Sequence, residues 1–175
     1  MNLEKIRSKK SLKFLILLLT SLMIAGVSAA TYRYMYIDGT VTVGGAKMVW
    51  LSGTDTDVTV LITGASVELN FPVENGTQRL FNNTLYLKNQ DSSSHTMNIS
   101  ITTPLPAAGF NSAVINIYQN STGTWALVDT LDMTTTDSTI NQSLAAGNYY
   151  RLAFDIYPKA TASGSYTFDV QLQYE

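Results

Sequence analysis

The chain has 175 residues, of which 45% are hydrophobic and 14% charged, and its length and apolar content suit about one globular domain. With 11 basic and 13 acidic residues there is little from which to build a basic nucleic-acid-binding face. No Cys is present, which excludes disulfide frameworks, thiolate metal sites and Cys nucleophiles.

The first 30 residues read as a secretory signal peptide. Lys5, Arg7, Lys9, Lys10 and Lys13 precede the apolar run Phe14 to Ala25, and Gly26-Val27-Ser28-Ala29-Ala30 supplies a small-residue cleavage site after Ala29 or Ala30. A retained anchor is disfavoured by length, because the stretch from Phe14 to Ala30 lies at the bottom of the range that crosses ~30 Å of hydrocarbon. Beyond residue 30, six basic residues face twelve acidic ones, and 21 Thr, 12 Ser and 11 Asn replace charge with hydroxyls and amides. That composition suits an exported β-domain.

Thr31 to Val43 (TYRYMYIDGTVTV) reads as a strand directly after the cleavage site. Its odd positions, Arg33, Met35, Ile37, Gly39, Val41 and Val43, form a mostly aliphatic face with a small residue in the middle. The even positions, Tyr32, Tyr34, Tyr36, Asp38, Thr40 and Thr42, are aromatic, hydroxylic or acidic. Such a strand exposes an apolar row and unpaired backbone groups, so it needs a partner. The partner is either the chain's own sheet or the open sheet of a neighbouring copy, completed by strand addition. Alternation alone favours the chain's own sheet, since sequential strands usually pair within a domain.

From residue 44 to 175 period-2 alternation continues, predicting an all-β, antiparallel two-sheet sandwich of jelly-roll type. Apolar faces are formed by Val58, Val60 and Ile62; Val67, Leu69 and Phe71; Leu85 and Leu87; and Met97, Ile99 and Ile101. Further along the chain come Ala113, Ile115 and Ile117; Leu152, Phe154 and Ile156; and Tyr166, Phe168, Val170 and Leu172. Turn residues separate these runs at Gly44-Gly45, Ser52-Gly53, Thr63-Gly64, Glu74-Asn75-Gly76, Asp91 to Ser94, Pro104 to Gly109, Asn120 to Gly123, Ala145 to Gly147 and Ala162 to Gly164. Three units follow: a signal peptide at 1–30, an N-terminal strand at 31–43 and the sandwich at 44–175.

Five Asn-x-Ser/Thr sequons, at Asn75, Asn82, Asn98, Asn120 and Asn141, gain weight from the signal peptide and predict N-linked glycans. Asn98 is out of phase with Met97, Ile99 and Ile101, so it points to solvent. Catalytic chemistry is not expected. His95, the only histidine, reads as a solvated loop residue within Ser92 to Thr96, and no G-x-S-x-G elbow positions a nucleophile. Asp55 with Asp57, and Asp129 with Asp132 and Asp137, match no calcium-loop pattern, so neither a metal nor a cofactor is expected. Trp125, in phase with Leu127, reads as core, and Tyr149-Tyr150 as one ring out and one in. Lys47, Lys88 and Lys159 are the only lysines beyond residue 30, and a crosslink from any of them to an Asn or Asp is less simple than a solvated lysine.

Leu85-Tyr86-Leu87-Lys88-Asn89-Gln90-Asp91-Ser92 resembles the strand, Asn, turn element of TasA and camelysin-like surface proteins. The final segments, Leu144 to Tyr150 and Gly164 to Val170, are similar to that group's last strands. The absence of Cys, the sequons and the Thr/Asn-rich strands resemble the archaeal bundling-pilus and thread-filament subunits. The resemblance implies an extracellular, glycosylated cell-surface filament, a homopolymer of identical subunits that can bundle laterally and serve adhesion and biofilm matrix. It implies assembly by donor-strand complementation, with Thr31 to Val43 as donor and Met35, Ile37, Val41 and Val43 as its anchors, and so reverses the preference for a partner in the same chain. Four such side chains contribute on the order of 6–10 kcal/mol before ordering costs. The alternative is a monomeric cell-surface or carbohydrate-binding sandwich that keeps its own first strand.

Overall fold

The computed structural model describes residues 34–43, 47–120, 123–136 and 139–174. The signal peptide expected at 1–30 lies outside them, as do Thr31 to Arg33 of the expected donor strand and the turn at Gly44-Gly45. Eleven strands follow one another: β1 (Tyr34–Val43), β2 (Met48–Ser52), β3 (Thr59–Thr63), β4 (Ser66–Glu74), β5 (Arg79–Asn89), β6 (His95–Thr103), β7 (Phe110–Asn120), β8 (Trp125–Asp132), β9 (Thr139–Leu144), β10 (Tyr149–Pro158) and β11 (Tyr166–Tyr174). The helical content of the described residues is a single 3-10 turn, Ala107–Gly109.

The strands form a six-stranded sheet, β3-β4-β1-β11-β6-β9, and a five-stranded sheet, β2-β5-β10-β7-β8. Their inner faces meet in one apolar core containing Val67, Leu69, Phe71, Leu85, Leu87, Met97, Ile99, Ile115, Ile117, Leu152, Phe154, Phe168 and Val170, all buried. These are the residues that alternation placed on one face of each strand, because a half-buried sheet sorts side chains by parity. The all-β sandwich expected from the sequence is therefore the observed fold.

Its topology is a jelly roll. From β4 to β11 the chain lays down two four-stranded sets, β4, β11, β6, β9 and β5, β10, β7, β8, passing between sheets as the eight-stranded double Greek key does. In that plan the first and last strands, β4 and β11, are antiparallel neighbours. Here β1 stands between them, antiparallel to β4 and parallel to β11. The expectation of an antiparallel sandwich is corrected at this one seam. A strand inserted between two antiparallel neighbours must run parallel to one of them.

Four register shifts adjust the outline, at Leu152/Phe154 and Tyr157/Pro158 of β10, Asp169/Val170 of β11 and Ile117/Tyr118 of β7. Between Leu152 and Phe154 of β10 the partner β5 advances from Leu85 to Phe81, so two extra residues sit on β5. Between Ile117 and Tyr118 of β7 the partner β8 advances from Asp129 to Leu127, leaving Val128 as the extra residue. A single extra residue, as at Val128, reverses which parity faces inward, whereas the two on β5 leave Leu85 and Phe81 both facing the core.

Candidate functional site

The seam occupied by β1 is the most specialised feature of the fold. Ile37 and Val41 are buried. The register sets Ile37 beside Phe71 and Tyr166, Gly39 beside Leu69 and Phe168, and Val41 beside Val67 and Val170. Met35 pairs with Val73 and Val43 with Leu172. Of the four expected anchors, Ile37 and Val41 share the parity of the buried residue Gly39, and the side chains of Met35 and Val43 lie outside the description. Beside Ile37 and Gly39 lies an aromatic cluster in which the Phe71 ring is 4.7 Å from Phe154, 5.1 Å from Phe81 and 6.4 Å from Phe168.

Gly39 fits the strand to this floor. A Cβ at Gly39 would lie 2.0 Å from Cζ of Phe168, inside the ring's own volume. The large residue on β11 therefore requires the absence of a side chain on β1. On the outer surface, Asn70 donates to Asp38 Oδ1 at 2.7 Å and helps fix strand register. Asp38, Glu68 and Asp169 line a hollow of about 360 Å³ there, but among the described residues no three His, Asp or Glu groups converge as metal ligands.

Where the chain leaves β1 and resumes in β2, it is pinned. The backbone N–H of Gln90 donates to the Lys47 carbonyl at 2.8 Å, and Lys47 Nζ donates to Asp91 Oδ2 at 2.8 Å. His95 Nε2 lies 2.8 Å from the same carboxylate oxygen, the backbone N–H of Ser92 donates to Oδ1 at 2.7 Å, and the His95 ring meets Tyr174 edge-on at 5.2 Å. The Lys47 ammonium, then His95 and the Ser92 N–H, hold the Asp91 carboxyl well below the usual carboxylate range, and Asp91 raises Lys47 in return. The reading of His95 as a solvated loop residue is corrected: it opens β6 and its side chain is 15% exposed. The Asp91 carboxylate, four residues earlier, and the Tyr174 ring, from the far end of the chain, cover it. Lys47 itself is an exposed salt-bridge lysine, while Lys159 Nζ donates to the Ala107 carbonyl and Lys88 lies over the Tyr149 ring.

The other acidic candidates are occupied by the fold. Asp55 Oδ2 accepts the backbone N–H of Asn83 at 2.8 Å and the Thr84 hydroxyl at 3.0 Å, and Asp57 pairs with Arg79 at 2.6 Å. Asp129 accepts from the Thr130 N–H, Asp132 from the N–H and hydroxyl of Thr134, and Asp137 lies outside the described residues.

Four of the five sequon asparagines have described side chains. Asn82 and Asn98 are exposed. Asn75 is engaged: one N–H of its Nδ2 donates to the Ala162 carbonyl, so a sugar there would have to take the other. Asn120 Oδ1 accepts the Gly123 N–H at 2.9 Å, closing the β7–β8 turn. Asn141 is directly opposite Asn98 in the β6–β9 pairing, and its side chain is outside the description.

Trp125 is not core. It lies on the outer face of the five-stranded sheet, half-buried beside Tyr86 at 5.7 Å, while Leu127 is 54% exposed. The bulge at Val128 reverses the parity, so Trp125 and Leu127 face outward and Leu131 faces the core. The same outer face carries Leu51, Tyr86, Arg151, Tyr118 and Leu127 in one row across five strands. Tyr149 and Tyr150 divide as expected. Tyr150 is buried, its hydroxyl donates to the Ser143 carbonyl at 3.2 Å, and burial pushes its pKa up to about 12.

In comparisons with known proteins, no family model and no curated protein matches the chain.

Proposed function

We propose that the protein is a secreted structural subunit of an extracellular filament, assembled head to tail by donor-strand complementation and serving adhesion, cell bundling and biofilm matrix. The observation that supports it is the position of β1: an N-terminal strand, joined to the sandwich at one end, fills the seam between the first and last strands of an otherwise complete jelly roll. In the described fold β1 fills the seam of its own chain. Its contacts are the same when the strand comes from a second copy, as in domain swapping, so the two closures differ in the path of the connection and in concentration. Gly44, Gly45 and Ala46 offer small residues for that change of path, and Lys47 pins the far side.

Donor and acceptor surfaces differ, so the contact is heterologous and propagates instead of closing. Removing the strand would leave facing unpaired edges on β4 and β11, a strong incentive to refill the seam. The resemblance to TasA-like and archaeal thread subunits agrees with this reading. So does the exposure of the sequon residues Asn82 and Asn98.

Negative-stain electron microscopy of residues 31–175, beside the same chain lacking 31–43, tests it. The expected result is filaments from the first, and from the second non-polymerising particles that bind an added peptide of residues 31–43. Compact monomers from residues 31–175 at all concentrations would overturn the proposal in favour of the monomeric surface or carbohydrate-binding sandwich.

A further inference from the structure

The outer face of the five-stranded sheet holds a feature that strand exchange does not use. Leu51, Ser52, Tyr86, Asn120, Trp125 and Tyr149 line an open hollow of about 320 Å³, at the lower end of the roughly 300–1,000 Å³ common for small-molecule sites. Arg151 holds its aromatic wall in place. The guanidinium lies 4.3 Å from the Tyr118 ring centre and 5.0 Å from that of Trp125. Its Nη1 donates to Asn83 Oδ1 at 3.3 Å, and the same oxygen accepts the Tyr86 hydroxyl at 3.2 Å. The rings of Tyr86 and Trp125, tilted by 52°, are thus braced before any ligand arrives.

One member of the lining is a sequon asparagine. Asn120 and Trp125 are directly opposed in the β7–β8 pairing, so their side chains rise from the same face with Cβ atoms about 5 Å apart. Gly123, at φ 83°, turns the hairpin and gives its N–H to Asn120 Oδ1, which fixes the carboxamide plane. Nδ2 makes no hydrogen bond to a described residue, in contrast to the engaged Nδ2 of Asn75. A pyranose ring has an apolar C–H face that packs on an indole, and hydroxyls that remain in water.

We infer that Asn120 carries an N-linked glycan whose first sugar packs into the hollow against Trp125 and Tyr86. This inference rests on the reading of the chain as a secreted glycoprotein. Attachment uses a glycosyl donor activated as a lipid-linked phosphate ester. The Nδ2–C1 bond forms, the C1–O bond to phosphate breaks and its electron pair leaves with the phosphate, and the displaced amide proton passes to base. The glycan shields a surface that otherwise exposes two aromatic rings and Leu51 to solvent.

The test is glycopeptide mass spectrometry and NMR on the full chain secreted from a glycosylating host, with Trp125→Ala, Trp125→Phe and Asn120→Gln variants. The expected result is an occupied Asn120, with protons of its first sugar shifted upfield by ring current. That shift is lost in Trp125→Ala at unchanged occupancy and largely kept in Trp125→Phe. A bare Asn120 beside other occupied sequons overturns this inference alone, whereas a chain with no sequon occupied overturns it together with the glycoprotein reading. Sugar resonances identical in wild type and Trp125→Ala also overturn it. So does added soluble oligosaccharide that perturbs Trp125 as strongly in the glycosylated protein as in Asn120→Gln, because the hollow is then open to outside ligands. Filament formation, scored separately by microscopy, reports on the strand-exchange proposal independently.

Discussion

The two sheets fill their centres with strands that are held in different ways. In the five-stranded sheet the central strand is β10, antiparallel to β5 and β7 and continuous at both ends with β9 and β11. In the six-stranded sheet the corresponding seam holds β1, parallel on one side, and no described strand precedes it. Both bury apolar side chains to the same degree, Ile156 and Leu152 in one and Ile37 and Val41 in the other. Burial therefore does not distinguish the two strands. Connectivity does: β10 lies between two described strands, whereas under the proposed strand exchange β1 would leave its seam without unthreading the fold.

The largest break in this comparison is Gly39→Val. The new side chain must enter the space of the Phe168 ring and displace it, which exceeds the ~1–3 kcal/mol of ordinary overpacking. Filaments are expected to disappear in electron microscopy and the melting temperature to fall, with partial recovery when Phe168→Ala is added. Next, Ile37→Ala and Ile117→Ala each remove a buried aliphatic side chain and are expected to cost ~2–5 kcal/mol in denaturant unfolding. Only Ile37→Ala should also speed subunit exchange, measured by mixing differently labelled filaments. Equal exchange in the two variants would show that β1 is not the joint.

A smaller effect belongs to the fixed side of the comparison. Tyr150 has its ordinary value near 10.0 unfolded and about 12 folded. The folded state thus keeps a proton that the unfolded state loses, so its contribution is complete below pH 10 and is lost as pH rises towards 12. Tyr150→Phe should flatten the alkaline limb of a melting-temperature profile in that window. The smallest expected change is Asp91→Asn. Asp91 is depressed by Lys47 and His95, so its contribution is present at neutral and mildly acid pH and is lost only as pH falls below the usual carboxylate range. The variant should remove that acid dependence and leave the melting temperature at pH 7 and high salt close to that of wild type.

Much of this was legible from residue order. Strands β4, β6, β7, β10 and β11 announce themselves because one face is buried and parity sorts their residues. The small residue at 39 stands out in the β1 pattern, although its partner Phe168 lies 129 positions away. Strand β8 does not alternate cleanly, since its bulge divides an outward half holding Trp125 from an inward half holding Leu131. Periodicity read across a bulge sends one half to the wrong face. His95 and Asp91 lie four residues apart, but Lys47 and Tyr174, which complete their surroundings, arrive from the turn before β2 and from β11. The parallel pairing of β1 with β11 is a property of chain order in space, which local alternation does not encode.

The match between Gly39 and Phe168 also acts as a ruler. Sliding the strand by two residues in either direction keeps its apolar face inward but brings Ile37 or Val41 over the Phe168 ring, where there is no room even for a Cβ. One alignment is therefore tolerated, and its neighbours are rejected by collision more than by weaker attraction. If the strand came from a second copy, it would be sorted by where its single gap falls, and a related chain with its small residue two places away would be turned back at the seam.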